Sequence, residues 1–403
     1  MSGNAGGVAA GSTAGDPMPK VLVHYTALNR GGAEQSLLRL MAGLVRRGCE
    51  VHLVLTVPGG DLEPDIDPAV VVHHLRRSAP QSVRPGAIAS MIHLLRMASG
   101  RWQERQSRTR FHGMHFDAAF VGRAGMPHDF VCETINACKR FVFVRNDPEV
   151  DGDGRWATRI ARYHQDVDQY ICVSAFVQEA MGARFPAIKP KLVTIYNLIQ
   201  PERMRALAEA AGDPFGPVQR ERPRVLSVCR LQESQKALLR MVDVHRRLLS
   251  DGIAHTWHVL GDGPDRGLLE QAIAAHGVAG SFILHGAVSN PFPWYVHADL
   301  VAVLSRYEGL CGVVNEARVL ERPVIATRFA GIDEQIESGV NGLIVEQDID
   351  AIVAGMRRLL GDAALRSRLA AGGYPDALMD DGAKIDALLA LVAPPLHRAG
   401  MGS

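Results

Sequence analysis

The segment LVAVLSRYEGLCGVVNEARVLERPVIAT, Leu300–Thr327, predicts a strand, a loop, a helix and a second strand in succession. Its first apolar run ends near Leu304, a helix begins near Gly312, and Val324–Ala326 forms the next strand. Two buried strands joined by an amphipathic helix are typical of a parallel βαβ unit.

The same alternation continues over most of the chain and gives two series of strands. The first series is predicted at Val21–Tyr25, Val51–Leu55, Ala118–Val121, Phe141–Val144, Tyr170–Val173 and Leu192–Ile195. The second series is predicted at Arg224–Val228, Thr256–Leu260, Phe282–His285, Leu300–Leu304, Val324–Ala326 and Gly342–Val345. We therefore expect an α/β protein with two Rossmann-like, doubly wound parallel-sheet domains. Ligands of such sheets bind beyond the carboxyl ends of the strands, here in a cleft between the domains.

The chain length of 403 residues suits two domains of nearly 200 residues each. The predicted parts are a disordered tail (1–18), an N-terminal domain (19–205), a linker (206–223), a C-terminal domain (224–375), and a C-terminal helix and tail (376–403). The linker contains AGDPFGPVQRERP, in which prolines and glycines interrupt any periodicity. Packing of the last helix back on the N-terminal domain is one possible arrangement.

Charge and composition exclude several classes of protein. Forty-four basic and 43 acidic residues give a net charge of +1, which offers no argument for nucleic-acid binding. The six cysteines lack C-x-x-C spacing and mostly lie in apolar runs, as free thiols of a reducing compartment do. No signal peptide and no run of 18 apolar residues is present, so we expect a cytoplasmic protein, at most peripheral on the inner face of the plasma membrane.

Two glutamates are the first candidates for ligand binding. Glu308 lies on a loop after a strand, and Glu316 lies about one turn into the following helix. The start of that helix offers backbone N–H groups at Leu310, Cys311 and Gly312, which suit a phosphate. A solvated surface charge is the ordinary role of an exposed glutamate. Two carboxylates beside a phosphate-binding helix start instead favour a ligand with hydroxyl groups.

The pattern E-G-L-x-G-x-x-x-E-A from Glu308, followed by R-P-V-I-A-T, resembles the E-x7-E signature of glycosyltransferase family four. Members of this family have the GT-B fold and transfer sugars with retention. The resemblance implies that Glu308 contacts hydroxyls of the donor sugar and that Glu316 holds the nucleotide ribose. It also implies backbone contacts from Leu310, Cys311 and Gly312 to the sugar and diphosphate.

An upstream segment, VLSVCRLQESQK from Val225 to Lys236, is similar to the family segment that neutralises the diphosphate leaving group. The resemblance assigns Arg230 and Lys236 to this role, which needs fixed positive charge where negative charge develops. Cys229 replaces the usual glycine, and the Arg–Lys spacing is one residue longer than in the commonest form. A solvent-facing pair at a helix start is the alternative interpretation.

The stretch HGAVSNPFPWYVHAD, from His285, is similar to the family segment that holds the nucleotide base. Backbone groups between Ala287 and Asn290 are the candidate base contacts. Phe292 and Trp294 are better explained by core packing than by base stacking. The letters NPFPW are most similar to enzymes that assemble bacterial surface polysaccharides.

The N-terminal domain is expected to bind the acceptor. Gly31 and Gly32 lie at a strand-to-helix junction, and in the family this pair faces the donor diphosphate. Arg145, Asn146 and Asp147 follow a strand where relatives commonly have His-Asn-Asp. These three are candidate acceptor-side residues. An arginine is not a base near neutral pH, but it can stabilise charge or bind an anionic acceptor.

A basic surface is predicted between Arg76 and Arg110, where eight arginines accompany a single acidic residue, Glu104. Leu94, Leu95, Met97 and Trp102 lie among these arginines. Such an amphipathic surface can lie on anionic lipid and bring the protein to a lipid-linked acceptor. A solvated face beside a variable loop is the alternative.

Together these residues predict a retaining glycosyltransferase that needs no metal and no cofactor. The donor is expected to be a nucleotide-sugar that carries a hexose-type sugar, a UDP-sugar before GDP-mannose, and the acceptor is expected to be a saccharide or a lipid-linked molecule. A nucleotide-sugar epimerase and a non-catalytic nucleotide-sugar-binding protein are the alternatives. A Rossmann oxidoreductase is disfavoured because Gly261 and Gly263 are not followed by the required third glycine.

Overall fold

The structure is a computed structural model that describes residues 18–29, 31–77, 87–146, 155–216 and 222–392, with the backbone alone for 87–97. The N-terminal strands are β1 (Lys20–Tyr25), β2 (Glu50–Leu55), β3 (Val71–His74), β4 (His115–Val121), β5 (Asn136–Val144), β6 (Gln169–Cys172) and β7 (Leu192–Thr194). The accompanying helices are α1 (Gly32–Arg46), α2 (Ala87–Arg108), α3 (Trp156–Tyr163), α4 (Ala175–Arg184) and α5 (Pro201–Glu209).

The C-terminal half continues the alternation of strands and helices. Its strands are β8 (Arg224–Val228), β9 (Thr256–Leu260), β10 (Phe282–Gly286), β11 (Leu300–Val303), β12 (Val324–Thr327) and β13 (Leu343–Val345). Its helices are α6 (Glu233–Lys236), α7 (Leu238–Ser250), α8 (Arg266–Ala275), α9 (Phe292–His297), α10 (Gly312–Val319), α11 (Ile349–Gly361), α12 (Ala363–Ala370), α13 (Asp376–Met379) and α14 (Asp381–Val392).

Both sheets are parallel, and their strand orders reverse at one point. The first sheet has the order β3-β2-β1-β4-β5-β6-β7 and the second the order β10-β9-β8-β11-β12-β13. Each order runs outward in both directions from its first strand, which makes both sheets doubly wound. The predicted α/β class with two Rossmann-like domains is therefore confirmed. The crevices at the strand-order reversals lie between β1 and β4 and between β8 and β11.

The sequence analysis missed one strand, β3, at the edge of the first sheet. Its four residues are VVHH, and none of them is fully buried. An edge strand with one covered face carries few apolar residues, so it lacks the apolar run that marks the inner strands.

The chain crosses between the two domains twice. Ile199 and Met204, before and within α5, are buried with the C-terminal residues Leu226 and Tyr295. The first crossing therefore comes before α5, earlier than the suggested boundary at residue 205. Helix α14 returns, and its Ile385 and further apolar residues are part of the N-terminal core.

All six cysteines are free thiols. Within the described residues, no helix is both long enough and apolar enough to cross a membrane.

Candidate functional site

The two domains touch where the loop after β11 meets the loops after β5 and β6. Ser174, at the start of α4, donates its hydroxyl to the Gly309 carbonyl at 3.0 Å. A Cβ atom at Gly309 would overlap the carbonyl oxygen of Arg145, so any larger residue would force the loops apart. This contact places the loop that carries Glu308, and the start of α10 that follows it, beside the N-terminal domain.

Glu308 lies at this contact and is held by three donors. Its side chain forms an ion pair with Lys236, and both side chains are largely buried. The Ser305 hydroxyl donates to the same carboxylate oxygen at 2.7 Å, and Gln235 donates to the other oxygen at 3.3 Å. The structure thus brings together Glu308 and Lys236, which lie 72 residues apart in sequence.

Burial and pairing act in opposite directions on Lys236. Burial alone lowers the pKa of its ammonium group, but the adjacent Glu308 carboxylate more than reverses this, and the pKa lies above its ordinary value. The next residue, Ala237, has a φ of 53° in the left-handed region, which is uncommon for alanine. This turn ends α6 and begins α7, and it fixes the position from which Lys236 reaches the carboxylate.

Glu316 lies on α10 in a second polar group. Tyr295 donates its hydroxyl to Glu316 at 2.7 Å, and a guanidinium nitrogen of Arg39 on α1 lies 3.9 Å away. Burial raises the pKa of Glu316, although Arg39 and the tyrosine hydrogen bond oppose the shift. Glu316 therefore also lies where both domains contribute side chains.

The start of α10 is only partly available as an anion site. The Cys311 N–H already donates to the side chain of Gln335 at 2.9 Å, and Leu310 packs against the N-terminal core. A Cβ atom at Gly312 would meet no protein atom within 4 Å, so packing does not explain this glycine. Of the three predicted backbone contacts, Gly312 has the geometry that best suits a phosphate.

The two remaining predicted groups of the C-terminal domain differ in their surroundings. Arg230 is exposed and lies six residues before Lys236, outside the buried ion pair. Ala287 is exposed, whereas the Asn290 amide donates to the Leu207 carbonyl at 2.8 Å. The Asn290 side chain therefore attaches α5 to the loop after β10, which leaves backbone groups as the candidate base contacts.

The aromatic residues of α9 pack as the sequence analysis favoured. Phe292 is buried, and the Trp294 ring lies 4.7 Å from Phe215 and 4.2 Å from His285 between ring centroids.

On the N-terminal side, Gly31 and Gly32 form the first turn of α1. Gly31 has an extended backbone at the N-cap position, and the Glu34 carboxylate lies directly over it. Tyr25 donates its hydroxyl to Glu34 at 3.0 Å. A Cβ atom at Gly32 would meet no protein atom within 4 Å. Gly32 and Gly312, on opposite domains, are thus both helix-start glycines with open space beside them.

Arg145 differs from its predicted role. Its guanidinium donates to the Gly122 carbonyl at 2.9 Å, to Ser36 at 3.1 Å and to Asn197 at 3.2 Å. The residue is 6% exposed, and burial lowers its pKa. These contacts point the side chain towards the interior of the N-terminal domain. The geometry therefore disfavours a direct contact between Arg145 and an acceptor. Asn146 is half-buried beside it.

Asp147, the third residue predicted on this side, lies outside the described residues.

Two protein-family models match separate parts of the chain. The model described as Glycosyltransferase Family 4 matches residues 30–203, and the model described as Glycosyl transferases group 1 matches residues 222–362. The lipopolysaccharide core biosynthesis glycosyltransferase LpsE of Rhizobium meliloti is 24% identical over 88% of this chain and 92% of its own. The α-D-kanosaminyltransferase of Streptomyces kanamyceticus is 31% identical, over 43% of this chain and 49% of its own length.

Solved structures agree with this fold. TarM of S. aureus superposes with a TM-score of 0.72 at 12% identity, over 94% of this chain and 100% of its own. HepE of Anabaena superposes with a TM-score of 0.68 at 16% identity, over 93% of this chain and 99% of its own. Together with the two family models, this fold makes the chain a glycosyltransferase of the GT-B type.

Sequence reasoning about this glycosyltransferase missed several residues of the candidate site. Ser305 and Gln235 hold Glu308, while Tyr295 and Arg39 hold or face Glu316. Arg39 had no signal in the sequence because it lies on a different domain, 277 positions from the residue it faces (316 minus 39). Tyr295 could have been predicted as a partner of a polar residue, because a tyrosine among apolar residues needs a partner for its hydroxyl.

The predicted basic surface of the glycosyltransferase is only partly described. Arg76 pairs with Glu104 at 2.6 Å, and Arg108 pairs with Asp129 at 2.6 Å. Trp102 is 59% exposed on α2. Residues 78–86 and the side chains of 87–97, which include Leu94, Leu95 and Met97, lie outside the described residues.

Proposed function

We propose that this glycosyltransferase transfers a hexose-type sugar from a nucleotide-sugar to a saccharide or lipid-linked acceptor, with retention at the anomeric carbon. The observation that supports this most is the buried ion pair of Lys236 and Glu308 at the β8–β11 crevice. A buried cation beside the open helix start at Gly312 suits a diphosphate, and a fixed carboxylate suits sugar hydroxyls.

In this proposal, the donor diphosphate binds between the start of α10 and Lys236. Negative charge develops on the diphosphate as the bond to the sugar breaks, and the raised pKa of Lys236 keeps its ammonium charged at that moment. Arg230, being exposed near the same loop, adds positive charge once donor is bound. Glu308 orients the sugar, and Glu316 accepts hydrogen bonds from the ribose.

A UDP-sugar is the donor we propose first, because TarM and HepE are structures in complex with UDP. Synthesis of a cell-surface polysaccharide or glycolipid is the proposed setting, because LpsE is named for lipopolysaccharide core biosynthesis. We further propose that the basic surface around the exposed Trp102 rests on anionic lipid near such an acceptor. Binding to phosphatidylglycerol vesicles that survives neutralisation of Arg101 and Arg105 would contradict this last point.

A donor screen tests the reaction. The full chain is incubated with UDP- and GDP-sugars, with and without saccharide acceptors, and the released nucleotide is identified. We expect release of UDP, a product with the donor's anomeric configuration by NMR, and unchanged rates in EDTA. Conversion of the donor into a different nucleotide-sugar without release of nucleotide would indicate an epimerase. Binding of donor without any turnover would indicate a binding protein.

A further inference from the structure

A second cluster of reactive side chains lies at the opposite end of the N-terminal sheet. His115 and Asp117 are on β4 and point to the same face, since residues two apart in a strand share a face. The strand pairing sets Phe116 beside Ala137 and Ala118 beside Lys139, so that Cys138 of β5 lies level with Asp117. One imidazole, one carboxylate and one thiol therefore meet across two neighbouring strands.

The distances in this cluster suit a shared metal ion. The Cys138 sulfur lies 3.3 Å from Nε2 of His115, and one ligand atom from each of the three residues lies within 4.8 Å of the others. Zinc bonds of about 2.3 Å to sulfur and 2.0–2.1 Å to nitrogen place tetrahedral ligands about 3.6 Å apart. The thiol and imidazole are already near this separation. The carboxylate oxygen lies within 4.8 Å of both, so it needs a shift of at most about 1 Å to reach this separation.

The carboxylate of Asp117 is oriented but retains binding capacity. One of its oxygens accepts the backbone N–H of Lys20 at 2.7 Å. The ammonium of Lys20 is engaged elsewhere, by Glu50 at 2.7 Å. Among the described residues, no cationic side chain lies within 4.0 Å of the Asp117 carboxylate. A backbone donor that fixes a ligating carboxylate is a common outer contact of metal sites.

We propose that His115, Asp117 and Cys138 bind a divalent ion of the zinc class, with water in the fourth position. The mixture of sulfur, nitrogen and oxygen donors favours Zn²⁺ or Co²⁺ over Mg²⁺ or Ca²⁺, which prefer oxygen alone. His115 and Cys138 are exposed, so the ion has free access. The bound ion links β4 to β5 and takes no part in sugar transfer.

The location of the cluster explains why the bound ion takes no part in sugar transfer. Cys138 is seven residues before Arg145 along β5, which corresponds to about 23 Å at 3.3 Å per strand residue. The cluster thus lies at the amino ends of the strands, whereas the candidate transferase site lies at the carboxyl ends. Failure of one proposal leaves the other intact.

Cobalt binding to the metal-free full chain tests the site. We expect one equivalent of Co²⁺ to give thiolate-to-cobalt charge-transfer absorption and the visible bands of four-coordinate cobalt, and Zn²⁺ to displace it. Cys138→Ser should abolish the charge-transfer band. Cys138→Ser and His115→Ala should each weaken Zn²⁺ binding by roughly tenfold or more. Cys132→Ser, which removes a thiol elsewhere in the same domain, should bind as the wild type does.

A second measurement separates binding from folding. Zn²⁺ should raise the melting temperature of the wild type and of Cys132→Ser by roughly 2–4 °C, but not that of His115→Ala. Donor turnover should be the same in all of these variants. Wild-type zinc affinity in both Cys138→Ser and His115→Ala, or cobalt binding without a charge-transfer band, would overturn the proposal.

Discussion

On the C-terminal side of the cleft Lys236 is paired with a carboxylate, whereas on the N-terminal side Arg145 is surrounded by neutral oxygens. The paired lysine and Glu308 lie beside an open helix start, so each can exchange its partner for a ligand group. Arg145 instead donates through two of its guanidinium nitrogens to oxygens of its own domain. The comparison suggests that the C-terminal side provides the chemistry, while the N-terminal side provides a rigid surface against which it works.

The largest effect is expected from Glu308→Gln. This change keeps the size of the side chain but removes the charge that faces Lys236 and the proposed sugar. We expect turnover to fall about 10²–10³-fold, as when one preorganised electrostatic group is removed. Steady-state kinetics with the identified donor measure it. The control is Glu337→Gln at an exposed glutamate on the same domain, and equal activity in the two variants would contradict the assigned site.

A smaller and different effect is expected from Glu316→Gln. If this residue binds the ribose, the variant should raise the KM for donor by about tenfold with a smaller change in kcat, since a binding contact is present in ground and transition states alike. Tyr295→Phe removes only the group that orients Glu316 and should have a weaker effect in the same direction. A change confined to kcat would place Glu316 in the chemical step instead.

The comparison itself is tested by Arg145→Lys. A lysine cannot reproduce the three planar hydrogen bonds, so we expect the free energy of unfolding to fall by about 1–3 kcal/mol. The KM for acceptor should rise several-fold, while hydrolysis of donor without acceptor should stay near the wild-type rate. A loss of donor hydrolysis as large as in Glu308→Gln would show that Arg145 belongs to the chemistry after all.

The last effect concerns pH and two buried histidines of the C-terminal domain. Burial, and the proximity of a second histidine, lower the pKa of His245 and of His258 to about 3 each. Both are neutral in the folded protein but protonate near pH 6.5 when unfolded. Their contribution to stability is therefore complete above about pH 6.5 and is lost as the pH falls towards 3. Each should reduce the free energy of unfolding by about 2 kcal/mol at pH 5.

Urea unfolding at pH 7.5 and pH 5.0 checks this expectation. His245→Phe should reduce the difference in unfolding free energy between the two pH values by about 2 kcal/mol. His112→Ala, at an exposed histidine, should leave that difference unchanged. A pH dependence that is equal in the wild type and in His245→Phe would show that other groups cause it.

The sequence predicted most of the fold because buried parallel strands are marked by continuous apolar runs. It missed β3, whose half-exposed residues carry no such run. Within the candidate site, Glu308 and Lys236 were predicted from local patterns, and the structure brings them into contact. Arg39 beside Glu316, and the inward turn of Arg145, depend on how distant elements pack. No local pattern encodes such contacts.

The return of α14 has a consequence for how the protein is made. Ile385, Leu388 and Val392 are among the last described residues, yet they complete the core of the first domain. On the ribosome, the N-terminal sheet therefore emerges with an apolar groove along α1 that stays uncovered until the whole second domain has followed. Domains usually fold in the order of their synthesis. In this chain the N-terminal domain is synthesised first but completed last. The length of the C-terminal domain sets how long the apolar surface along α1 stays exposed.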